Sequence, residues 1–191
     1  MSATSGSGKL RRLFGALALV SMFGSCASAD PVSSQPAVDD TAPVDLSFRE
    51  FYRMPVGPRG LEPTDKLLAL DGRRVRIEGY VVQEEEPLPG LFMMAPVPVA
   101  LAELADGPAD YLPGTTVFVH LRSDDAKRKY LSFRAGLWTV VGTLELGGRE
   151  EPNGRHSFVR LVVDEVSDVR DSTGQVLVLR PDAPAQHRHS Y

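Results

Sequence analysis

Chemistry in this 191-residue chain would have to come from histidines and carboxylates, because it holds one cysteine, Cys26, and none of the common nucleophile or phosphate signatures. No GxSxG elbow, P-loop, HExxH or dinucleotide glycine pattern occurs. His120 stands in the run TTVFVHL (Thr115–Leu121), where alternation puts it on the face of Thr116 and Phe118, opposite Val117 and Val119. Glu84, Glu85 and Glu86 follow the strand-like run RRVRIEGYVV, where a hairpin should turn. These four residues are the candidate metal ligands. The plainer reading is a histidine on a strand surface and a charged, solvated loop. Asp106, Asp110, Asp124 and Asp125 lack the alternating oxygen spacing of a calcium loop, and His187 and His189 sit in a polar tail. Ser157 adjoins His156, but neighbours on a strand point to opposite faces, so the two cannot act together. No catalytic residue and no cofactor is assigned.

A second kind of chemistry is contact. Leu91, Phe92, Met93 and Met94, followed by Pro96 and Pro98, form a soft apolar and proline-rich stretch suited to a protein partner. Charge narrows the partner class. Three of the 21 basic residues and none of the 25 acidic ones lie in the first 29 positions, so the remainder carries a net charge of −7. Such a surface repels phosphate backbones and anionic headgroups, which excludes nucleic acid and a general membrane surface as partners.

The first 29 residues have the layout of an export signal. Lys9, Arg11 and Arg12 precede the apolar run Leu13–Phe23, and small residues follow. That run, about eleven residues, is short of the roughly 20 that cross a bilayer. Ala27-Ser28-Ala29 fits cleavage before Asp30, whereas Phe23-Gly24-Ser25-Cys26 resembles a lipobox in which Cys26 would carry a lipid. Both processing routes stand, as do the general and twin-arginine export routes. Residues 30–45 are rich in Pro, Ser, Ala and Asp and read as a flexible tether. A single domain is expected over 46–180, with a disordered tail over 181–191.

Within that domain, Ser47-Phe48-Arg49-Glu50 has capping-box spacing for a short helix over Phe48–Arg53, and Thr64 can cap a second over Asp65–Leu70. Five strands are expected: RRVRIEGYVV, LFMMA, TTVFVHL, LWTVVGTLEL and HSFVRLVV. The last two flank Asn153-Gly154, a hairpin signal. A short helix is expected over Val99–Ala105, another after Ser123, and an added strand at Gln175–Leu179. The count and order predict an all-β fold, a small Greek-key barrel of the OB type, with a β-sandwich or an SH3-like barrel as alternatives.

Leu70-x-Gly72 with Val75-x-Ile77-x-Gly79-Tyr80, and the later LWTVVGTLELGG, resemble the DUF3299 family of bacterial envelope proteins over roughly Leu46–Val166. The resemblance implies an exported OB-like domain without assigned chemistry. The expected function is a non-catalytic accessory module of the cell envelope, periplasmic or lipid-anchored, that contacts another protein. The alternatives are a periplasmic protein handling a metal or small ligand, and an enzyme of another kind.

Overall fold

The computed structural model describes residues 42–101, 103, 104, 107, 108 and 112–182, all within one compact unit, Asp39–Tyr191. The expected export signal with Cys26, most of the tether, Asp106, Asp110 and the tail beyond Asp182 lie outside the described residues.

Five strands carry the fold: β1 (Arg74–Val81), β2 (Leu91–Ala95), β3 (Val117–Leu121), β4 (Leu137–Glu150) and β5 (His156–Val163). Their pairing is a ring. β1 pairs antiparallel with β2, β2 with β3, and β4 with both β5 and β1, while β3 and β5 run parallel. The strand-rich class predicted from the sequence is the one observed. Each of the five strands thus has another of the five as neighbour on both sides.

Alternation explains the interior. Val75, Ile77 and Val81 of β1, Phe92 and Met94 of β2, Val117, Val119 and Leu121 of β3, Val140 and Leu144 of β4, and Val159, Leu161 and Val163 of β5 join one buried cluster. Each large aliphatic side chain so buried contributes about 1.5–3 kcal/mol. Gly142 is required by space, since a Cβ there would sit 2.6 Å from the Val162 carbonyl oxygen. The same holds at Gly79, where it would meet the Phe48 ring and the Ala95 carbonyl.

One end of the ring is packed by the amino-terminal segment. Ser47 and Glu50 form the capping box of a 3-10 turn, Phe48–Glu50, and Thr64 caps a helix, α1 (Asp65–Ala69). Leu46, Phe48, Phe51, Tyr52, Leu67 and Leu70 thereby enter the core. Val44–Asp45, assigned to the tether from composition, pair in parallel with Val75 and Arg76, so the ordered domain starts earlier than expected. A final strand, β6 (Val169–Asp171), continues along the edge of β4 beyond β5.

The expected helix over Val99–Ala105 is not formed. Ala100–Leu101 pair with Gln83–Glu84, and Glu103–Leu104 with Gly107–Pro108. Strand pairing thus overrides the helical propensity of the alanines and leucines. Only a bridge at Val176 and a two-residue strand, Leu179–Arg180, appear where Gln175–Leu179 was expected as a strand.

Candidate functional site

The strand LFMMA is buried on both faces. Phe92 and Met94 point into the ring, while Leu91, Met93 and Ala95 join Val82 and Phe118 in a second cluster, beneath Leu88, Val99, Leu101 and Leu112. Leu91, Phe92, Met93 and Met94 therefore cannot form the contact surface the sequence suggested, because the chain's own loops cover them. Only Pro96 and Pro98 of that set are exposed.

The prolines lead to a surface feature the sequence did not single out. Tyr80, Val81 and Gln83 form one part of a groove of about 320 Å³, Pro98, Val99 and Ala100 a second, and Phe133, Ala135 and Gly136 a third. Val97, Phe133, Leu137 and Val178 are large apolar residues left exposed, with relative exposures of 52%, 41%, 36% and 48%. Leu137 lies across from Tyr80 in the ladder, Tyr80 lies across from Ala95, and Ser132 bonds the Val178 carbonyl, so these residues belong to adjoining backbone.

The predicted ligands lie elsewhere. His120 and Glu151 are placed by β3 and by the turn after β4, where the β4–β5 register shifts between Leu146 and Arg149. His120 Nε2 lies 3.0 Å from a Glu151 carboxylate oxygen and 3.0 Å from Arg149 Nη2. The Glu151 side chain is wholly buried, and the Ser157 hydroxyl donates to it. Arg160, also buried, donates 3.0 Å to that hydroxyl and 2.6 Å to the Gly147 carbonyl, and its Nε lies 3.7 Å from Glu145. That Nε has no hydrogen-bond acceptor.

Electrostatics follow from the packing. Burial works against ionisation of Glu151, but hydrogen bonds from Ser157 and Arg149 and the nearby His120 outweigh it and hold its carboxyl below the usual range. Burial also lowers the His120 pKa, with Glu151 pulling it up and Arg149 and Arg160 pushing it down. Glu84 is half-buried, and burial pushes it up to about 7 against the pull of Arg155 and a hydrogen bond with Asn153. Glu85 and Glu86 are exposed.

The structure thus brings His120 to Glu151 and Glu84 to Asn153, and it does not gather the four predicted ligands. Among the described residues no three His, Cys, Asp or Glu side chains converge as a metal site. Ser157 meets Glu151 rather than His156, and the carboxylate lies between serine and histidine. Among the described residues the Ser157 hydroxyl bonds Glu151 and Arg160 and no histidine. Beside Ser157 opens a cleft of about 490 Å³, with Tyr52, Thr116, Asn153, Arg155 and His156 among its polar lining and Phe118 and Phe158 among its apolar lining.

No helix among the described residues is long and apolar enough to cross a membrane. No protein-family model matches the chain, and no curated protein matches it. Among solved structures, the chain is similar to a DUF3299 family protein from Pseudomonas aeruginosa PAO1, at 14% identity and a TM-score of 0.38, covering 65% of this chain and 94% of that one.

Proposed function

We propose that this chain is a non-catalytic binding module of the bacterial cell envelope, and that it docks a protein partner in the groove between Tyr80, Pro98 and Phe133. The observation that carries this reading is the apolar lining of the groove beside exposed Val97, Phe133 and Leu137. Exposed apolar residues that adjoin one another mark interaction sites more often than scattered ones do. In this reading residues 1–29 direct export, and Cys26 carries a lipid that holds the domain to the envelope.

The test has two parts. A photo-crosslinking residue at position 133 in the native host should join a discrete envelope protein, and Tyr80→Ala with Pro98→Asp should abolish that product. Persistence of the product in the double variant would refute docking in the groove. Cys26→Ser should move the protein from the detergent phase to the aqueous phase, and a wild-type product beginning at Asp30 would end the lipid-anchor reading.

A second reading rests on the cleft beside Ser157, whose Arg155, His156 and Tyr52 suit a small anionic or aromatic ligand. It makes the protein a carrier of a small periplasmic ligand. A native-mass measurement on protein purified from its host would reveal such a cargo.

A further inference from the structure

The segment entering the groove has an edge that the domain itself does not pair. Residues 132–135 lie between the short strand Tyr130–Leu131 and β4, and they contain neither helix nor turn. Two of their peptide units are used inward: the Ser132 N–H donates 3.0 Å to the Val178 carbonyl, and the Arg134 carbonyl accepts 3.1 Å from the Trp138 indole. In an extended chain alternate residues offer their N–H and C=O groups to opposite edges. The peptide groups of Phe133 and Ala135 are not used in this way. Among the described residues neither has a backbone partner. Phe133 and Ala135 also line the groove. On the facing wall Pro98 has no N–H, so it cannot donate to a ladder there.

We propose that the Phe133–Ala135 edge captures an extended segment of a protein partner by strand addition, with the segment's alternate apolar side chains filling the groove. Main-chain hydrogen bonds then supply affinity, and the groove reads every second side chain. This proposal rests on the docking reading above and specifies its mode. Charge selects the segment. The sequence beyond residue 29 carries a net charge of −7, Glu78 is exposed on the neighbouring β1, and Arg134 is paired with Asp171. A neutral or basic segment fits this rim and an acidic one does not. A second copy of this chain, whose formal net charge is −4, meets the same repulsion, which favours a foreign partner.

The experiment is selection of random linear dodecapeptides displayed on phage against the full chain. The enriched peptide is then synthesised with its backbone amides methylated in turn. Expected are apolar residues at every second position, and a loss of about tenfold or more in affinity on methylating one alternate set of amides but not the other. Phe133→Ser should also weaken binding.

Enriched peptides with apolar residues three and four apart, or indifferent to methylation yet sensitive to Phe133→Ser, would overturn strand addition and leave groove docking standing. Peptides insensitive to both Phe133→Ser and Tyr80→Ala, or no enrichment at all, would overturn the docking reading itself. A stable dimer in analytical ultracentrifugation that the peptide dissociates would make a second copy the occupant and overturn the foreign partner.

Discussion

The groove and the Glu151 cluster are opposites built on one ring of strands. The cluster buries charge: Glu151, Ser157 and Arg160 are 3%, 3% and 6% exposed, and they bond one another or nearby backbone, except that the Arg160 Nε lacks an acceptor among the described residues. The groove does the reverse, leaving Phe133 of its lining partly in water, beside the partly exposed Leu137. Buried polar groups and exposed apolar patches are the informative departures from ordinary packing. Here the first is largely closed within the chain and the second is not. In the proposed reading the cluster serves stability and the groove recognition.

The largest effect should come from the cluster. Glu151→Ala removes the buried acceptor shared by Ser157, Arg149 and His120, at a cost of about 3–5 kcal/mol. Urea denaturation measures this, and binding at the groove should survive wherever the variant stays folded. A loss under about 1 kcal/mol would erase the contrast between the two regions.

Acidity sharpens it. The folded pKa of Glu84, about 7, lies above its ordinary 4.5, so between those values the native state keeps a proton that the unfolded chain has lost. Stability from this residue is therefore full below pH 4.5 and declines as pH rises towards 7. Glu84→Gln should match wild type at pH 4.5 and exceed it at pH 8 by an amount on the order of 2 kcal/mol. His120 and Glu151 have lowered values and act in the other direction, losing stability as pH falls below 6.5 and 4.5 respectively. Denaturation midpoints of both proteins from pH 4 to 8 would show a constant difference if Glu84 titrates normally.

The smallest effect on stability belongs to the groove. Phe133→Ser should change unfolding free energy by no more than about 0.5 kcal/mol, as for a surface position, while removing partner binding. A thermal scan beside a binding curve separates the two quantities. Parallel loss of both would make Phe133 a packing residue.

The sequence made the ring legible because its signals are local. Alternation in RRVRIEGYVV and LWTVVGTLEL, and Asn153-Gly154 between the hairpin strands, predict antiparallel pairing of β4 with β5, but not the shift between Leu146 and Arg149 that sets Leu144 opposite Leu161. The unbroken apolar run Leu91–Met94 suggests a contact surface, whereas a strand without alternation is one covered on both faces. What covers its outer face is Leu88, Val99, Leu101 and Leu112, on flanking loop segments whose path no local period gives. The cluster is illegible for the same reason. Glu151 looked like one acid in the charged run Arg149-Glu150-Glu151. Only the turn after β4 and its pairing with β5 draw it inward to Ser157 and His120. The groove depends on residues 80, 98 and 133, which no local period links.

The fourteen residues of β4 have a consequence for how the molecule assembles in time. Thr143 pairs with Arg74 on one side and Val162 on the other, and Leu144 bonds back to Arg73 while pairing with Leu161. Two ladders thus overlap at one point of the chain, one a hairpin and the other joining β4 to β1, distant in sequence. Closing such contacts takes loop entropy before any burial compensates it, which places folding among the slower, non-local topologies of milliseconds to seconds. The chain must also extend through Val163 before the parallel β3–β5 ladder can complete the ring. In amide exchange on the finished domain, residues 142–144 should be the last to open, because both ladders must part there together.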